Sequence, residues 1–186
     1  MIEMFDGELV RLRSYELDDC EYIWKHLNSL TLRAYLGKAI PQSIEETKEW
    51  ISNTWKWRQD GIRFFFAFEE ITTNQLLGSV NLYIDNKISK SASLGIWIYE
   101  EKNWEKGYGS DAMIVILKFG FDYLNLHRIG LSVYPANERA IHVYKKLGFK
   151  IVGEKRESRF MNGKYKNEIL MDILESEWRV LSKKSS

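Results

Sequence analysis

The stretch that decides the reading is Asn103 to Lys118, NWEKGYGSDAMIVILK. Before it, Ser91 to Tyr99 (SASLGIWIY) has the apolar, aromatic-rich character of a strand. After it, Ser110 to Leu126 is apolar nearly all round, and its polar positions Asp111, Lys118, Asp122 and Asn125 fall on one helical stripe. The sequence therefore predicts a strand, a loop holding Gly107 and Gly109, and a helix buried against a sheet. Backbone N–H groups at such a helix start are unpaired and lie at the positive end of the helix dipole, so phosphate is the natural occupant of the loop. Lys106 adds an optional point charge. The lysine precedes the glycines, which excludes a Walker A loop, and Ala112 stands where a Rossmann fingerprint needs its third glycine. A pyrophosphate-bearing cofactor held by backbone amides remains.

Working outward, Glu8 to Ser14 alternates as a half-buried strand and Glu16 to Leu30 has helical spacing. Ser43-Ile44-Glu45-Glu46 is a capping box opening a second helix, which Asp60-Gly61 ends. Arg63 to Glu69 and Gln75 to Asp85 read as a hairpin around Thr72-Thr73-Asn74, and Arg128 to Tyr134 as a further strand. Asn137 to Leu147 reads as a short helix closed by a Schellman end at Gly148-Phe149. Lys150 to Phe160 and Lys164 to Leu174 are joined by the turn pair Asn162-Gly163, and the tail from Lys183 to Ser186 is expected to fray. With no linker or repeat, the expectation is one α+β domain over residues 1–186, a mixed sheet of about seven strands with about four helices.

The 27 Lys and Arg residues nearly balance the 26 Asp and Glu, which gives no electrostatic reason to expect nucleic acid or an anionic membrane. No run reaches the ~18 apolar residues of a membrane span. A lone cysteine, Cys20, three scattered histidines and no signal-like N-terminus point to the cytoplasm and to no metal site.

A second constellation runs from Asn137 to Phe149, where Asn137, Ala140 and Tyr144 share one helical face. On pattern alone Asn137 is an N-cap and Tyr144 a core aromatic. Taken together, however, Trp104-x-Lys106-Gly107-Tyr108-Gly109-x-x-Ala112 and Asn137-x-x-Ala140-x-x-x-Tyr144-x-x-Leu147-Gly148-Phe149 resemble the GNAT acyl-CoA-dependent N-acetyltransferases. Leu12-Arg13, Arg33-Ala34-Tyr35-Leu36, Glu45-Glu46-x-x-Glu49-Trp50-Ile51 and Asn162-Gly163-Lys164-Tyr165 resemble the RimJ/RimL branch, named for ribosomal-protein N-acetyltransferases.

That resemblance implies acetyl-CoA as cofactor. Lys106, Gly107, Tyr108, Gly109 and Ser110 would hold its pyrophosphate through backbone amides. Ile96, Trp97 and Ile98 would pair with the pantetheine and the thioester carbonyl, and Asn137, with Ala140 beside it, would bind the pantetheine arm. Tyr144 would be the general acid for the departing thiolate, and the acceptor would be an amine, on a peptide N-terminus or a small molecule. The alternative is a non-catalytic or regulatory CoA-binding protein of the same type. Strand edges and the last hairpin could support a homodimer.

Three positions depart from the family pattern: Trp104 for Arg or Gln, Glu105 for Gly, and Ser93 for a glutamate that is a candidate general base. Without that base, an α-amine of pKa about 7.7–8.0 is easier to deprotonate than a lysine-like amine of pKa about 10.4, by about 3.5 kcal/mol, so the sequence favours the α-amine. The expected acceptor walls are Tyr35, Trp50, Trp55, Phe160 and Tyr165, most of them core residues, while Asp18, Asp19, Glu45 and Glu46 are read as solvated first-turn charges.

Overall fold

A computed structural model describes residues 4–29, 32, 40–161 and 163–182. The stretch Arg33 to Leu36, Asn162 of the last turn and the tail Lys183 to Ser186 lie outside the described residues. The strands are β1 (Val10–Arg13), β2 (Arg63–Glu70), β3 (Leu76–Asn86), β4 (Ser91–Ile98), β5 (Arg128–Val133), β6 (Lys150–Met161) and β7 (Lys164–Leu174). The α-helices are α1 (Cys20–Leu27), α2 (Ile44–Gln59), α3 (Tyr108–Lys118), α4 (Glu138–Lys146) and α5 (Glu175–Ser182). The strands form a seven-stranded sheet in the order β1-β2-β3-β4-β5-β7-β6. It is mixed: β4 pairs with β5 in parallel and the other described pairings are antiparallel. The fold is α+β, as expected, with five α-helices among the described residues where the sequence suggests about four.

By internal contacts the chain divides into two compact units, Met1–Tyr83 with Gly95–Ile116, and Ile84–Leu94 with Leu117–Ser186. In the first, β2 carries Phe64 to Phe68, all buried, because both of its faces are covered. Its core joins Ile23 and Leu27 of α1, Ile51 of α2, Phe65, Leu76 and Tyr99. Helix α2 opens on the predicted box: Ser43 Oγ accepts the Glu46 N–H at 3.1 Å, and Glu46 Oε2 accepts the Ser43 N–H at 2.6 Å. Its buried face includes two threonines, whose hydroxyls donate to the Ser43 and Ile51 carbonyls and so are not left unpaired. Asp19 departs from its solvated reading, being buried and gripped by Arg13 at 2.7 and 2.8 Å.

In the second unit, β5 to β7 form an antiparallel set, and the turn between β6 and β7 includes Gly163 at φ +75°. Helix α4 closes as predicted. Gly148, at φ +94°, donates to the Lys145 carbonyl and Phe149 to the Tyr144 carbonyl, which is the two-bond Schellman pattern. The long helix expected to Leu126 instead ends as α-helix at Lys118 and continues as a π-turn over Phe119–Tyr123, with Leu124 donating to Phe119. Asn125 at φ +51° then stops it. Helix α5 follows β7 without a loop; Trp178 is buried from it and stacks on Phe121 at 6.1 Å. No helix among the described residues is long and apolar enough to cross a membrane.

Candidate active site

In the first unit the glycine stretch is a helix start. Gly107 takes φ +86°, a conformation that a side chain resists, and its carbonyl accepts the Asp111 N–H at 3.0 Å, the first helical bond. Tyr108, Gly109 and Ser110 are therefore the first turn of α3, two residues earlier than the sequence suggests, and their N–H groups have no partner within the helix. A Cβ on Gly107 would stand 3.1 Å from Leu9 Cδ1, whereas one on Gly109 would make ordinary contact with Ile98 Cδ1 at 3.5 Å. Gly107 is thus required by its backbone, and Gly109 leaves the approach to the amides open.

Strand β4 meets this start. Ile96, Trp97 and Ile98 are half-buried at its end, and the Ile98 carbonyl accepts Trp104 Nε1 at 3.4 Å. Trp104, one of the departures from the family pattern, so fixes the turn to the strand. Lys106 is exposed. The Tyr108 side chain points away from any backbone cradle: its hydroxyl donates to Glu70, which also accepts Thr73 Oγ1 at 2.6 Å. Those two bonds, Thr73 first, hold the Glu70 carboxyl below its ordinary range. Glu105, another departure from the family pattern, stands at φ +61°, so this chain places a side chain in a left-handed position of the loop. Glu100, just past the end of β4, accepts Lys102 Nζ at 2.8 Å and the Tyr22 hydroxyl at 2.7 Å, which together lower its pKa.

The anchor of the helix start is a residue that the sequence places only on a polar stripe. Asp111 is not on a solvated stripe but buried, accepting the N–H groups of Glu8, Leu9 and Val10 at 3.1, 2.8 and 2.9 Å. Gly7 makes this possible, since a Cβ there would run into Asp111 Oδ2. The carboxylate thus ties the entry to β1 to the first turn of α3, where its charge also complements the helix dipole. Nothing in the local pattern marks it, because its donors are about a hundred residues away in sequence.

The second unit holds the other predicted residues. Asn137 is the N-cap of α4: its Oδ1 accepts the Ala140 N–H at 3.2 Å, leaving its side-chain N–H₂ to donate elsewhere. Tyr144 lies two turns along α4, its ring 6.0 Å from that of Phe149. Desolvation pushes its hydroxyl pKa up to about 12. Ser93 is exposed, and its Oγ donates to the Asp85 carboxylate, with Oδ1 and Oδ2 at 3.0 and 2.8 Å. Asp85, to which the sequence alone assigns no role, is thus the partner of Ser93. Of the expected aromatic walls, Trp50 packs in the first unit's core against Tyr15 and Phe65, while Trp55, Phe160 and Tyr165 are exposed and Tyr35 lies outside the described residues.

A mixed α+β sheet with an amide-lined helix start beside a half-buried strand end defines a protein that holds a phosphate-bearing cofactor. The sequence matches the model of the Acetyltransferase (GNAT) domain over residues 10–150, and the chain belongs to that family. As a GNAT acetyltransferase it takes acetyl-CoA as cosubstrate. It is 32% identical to the spermidine N(1)-acetyltransferase of Vibrio cholerae over 167 residues, 90% of this chain and 94% of that one. It is 30% identical to the spermidine N(1)-acetyltransferase of Escherichia coli over 169 residues, 91% of this chain and 88% of the relative. Among solved structures, spermidine N-acetyltransferase from Vibrio cholerae in complex with CoA and spermine superposes with a TM-score of 0.82 at 30% identity, covering 91% of this chain and 98% of that one.

Proposed function

We propose that the protein transfers the acetyl group of acetyl-CoA to a small polyamine-like amine, with Tyr144 as general acid. The observation that carries the cofactor half of this reading is the start of α3: Gly107 at φ +86° opens a helical turn whose first N–H groups have no partner within the helix and can donate to an anion. Acetyl-CoA, when bound, supplies a thioester that an amine can attack. Lys106 to Ser110 hold its pyrophosphate, the backbone of Ile96 to Ile98 holds the pantetheine, and the free amide N–H₂ of Asn137 donates to the same arm.

Tyr144 keeps its proton throughout the working pH range, because burial disfavours the phenolate. It is a weak acid in its own right, so its usefulness lies in position: a thiolate leaving into the same desolvated surroundings is also more basic than in water, and the phenol is the donor that meets it. The sequence favours an α-amine acceptor, but relatives that span about nine tenths of this chain carry the name spermidine N(1)-acetyltransferase, which supports the polyamine class instead.

Incubating the purified protein with acetyl-CoA and either spermidine or a peptide bearing a free N-terminus, while following thiol release, separates the readings. Faster release with spermidine is expected. Faster release with the peptide would replace the acceptor class and leave the cofactor assignment standing. CoA binding without release for any amine would favour a regulatory CoA-binding protein.

A further inference from the structure

We propose that Asp85 is the carboxylate that engages the acceptor nitrogen and takes its proton, with Ser93 as the residue that positions it. This rests on the acetyltransferase reading and names a partner for the chemistry that Tyr144 leaves unfinished. Attack by an amine that is an ammonium at neutral pH needs a group to remove a proton from nitrogen, and the strand that carries Ile96 to Ile98 offers no carboxylate, only the hydroxyls of the buried Ser91 and the exposed Ser93.

The geometry supplies the missing carboxylate from the neighbouring strand. Asp85, near the end of β3, and Ser93, near the start of β4, lie on the two arms of the turn between those strands, and the Ser93 Oγ sits 3.0 and 2.8 Å from the two carboxylate oxygens. One hydroxyl hydrogen serves one oxygen at a time, so most of the lone pairs of the carboxylate stay available. Among the described residues no salt bridge engages Asp85, whereas Asp19, Glu69 and Glu168 all have an arginine against them. The carboxylate is exposed, held by a short neutral side chain and uncompensated, which suits it to receive a cation rather than to brace the fold.

The step balances without a further reagent. The carbon–nitrogen bond forms as the carbon–sulfur bond breaks. Asp85 first relays one proton from the acceptor's ammonium to water; the nitrogen, which grows acidic as it acylates, then gives its second proton to Asp85, and the sulfur receives the phenolic proton of Tyr144. Both residues then exchange protons with water.

The test compares wild type, Asp85→Asn, Ser93→Ala and the double variant Asp85→Asn/Ser93→Glu, with spermidine and with an aromatic amine that is already neutral at pH 7. Asp85→Asn should lose about a hundredfold in kcat/KM on spermidine, the lower end of what a positioned base contributes, while keeping its affinity for CoA. Its loss on the aromatic amine should be under tenfold, because much less proton removal is required. Ser93→Ala should fall severalfold, and the double variant, which moves the carboxylate onto β4, should recover at least tenfold over Asp85→Asn. Thermal melting of Asp85→Asn should match wild type. An Asp85→Asn activity within threefold of wild type overturns the assignment. Equal losses on both amines with no recovery in the double variant also overturn it, because that is what a bracing role gives. No transfer by wild type to any amine would overturn the acetyltransferase reading itself, and the role of Asp85 with it.

Discussion

Replacing Asp111 by alanine tests the most consequential contact that the sequence concealed. The carboxylate accepts three backbone N–H groups, of which that of Val10 is buried and those of Glu8 and Leu9 are part-buried. Water can replace much of what the two outer donors lose, about 0.5 kcal/mol each, but the Val10 donor is left with most of its desolvation cost, about 2 kcal/mol. Loss of a carboxylate from the first turn of α3 adds about 0.5 kcal/mol. The total is about 3.5 kcal/mol, a fall in melting temperature on the order of 10 °C for a chain of this size.

A double-mutant cycle with Gly7→Ala sharpens the test. The added methyl runs into Asp111 Oδ2, so Gly7→Ala alone should destabilise by a similar amount, yet cost little once Asp111 is already alanine. Denaturant unfolding of the four proteins gives the coupling directly. A loss below about 0.5 kcal/mol for Asp111→Ala, or strict additivity of the two changes, would show that the carboxylate does not anchor the entry of β1 to α3.

Other outcomes follow from the same geometry. Gly107→Ala should cost about 1–2 kcal/mol of stability, because φ +86° is unfavourable for any side chain, and should weaken CoA binding, read by calorimetry. Gly109→Ala should leave stability within a few tenths of a kcal/mol of wild type or above it, since helix favours alanine, yet also weaken CoA if the ligand needs close access to the amides. Tyr144→Phe should lower turnover by about a hundredfold or more with CoA affinity kept within about twofold. The Tyr144 hydroxyl is raised from about 10 in the unfolded chain to about 12, so its contribution to stability is complete below pH 10 and is lost as pH rises through 12. The stability of wild type should therefore fall relative to Tyr144→Phe between pH 10 and 12, in melts across that range.

What the sequence made legible was whatever local chemistry controls. The Ser43–Glu46 box, the Asn137 cap and the Gly148-Phe149 ending are decided within a few residues, and all three stand where read. The strands were visible because runs such as Arg63 to Glu69 combine aromatic bulk with turn residues on either side. Contacts far apart in sequence were not visible. Asp111 reads as one polar position on a stripe until the N–H groups of residues 8–10 are brought to it, and α5 is too short and too polar to show a period before Trp178 finds Phe121. The candidate site divides the same way. The glycine cradle and the α4 face have a local signature, whereas the Asp85–Ser93 pair depends on cross-strand register, which a side-chain period of two leaves open from sequence alone. The substitution of Ser93 therefore read as a missing base, until the structure set a carboxylate beside it.

The most direct test of the central claim is a titration of free thiol against acetylated product. The purified protein is supplied with acetyl-CoA and spermidine, thiol release is followed, and product is quantified by mass. One acetylated spermidine is expected for each CoA thiol released, at a rate that Tyr144→Phe reduces by about a hundredfold while CoA still binds. Tight CoA binding with no thiol release on any amine, or a Tyr144→Phe rate equal to that of wild type, would contradict it.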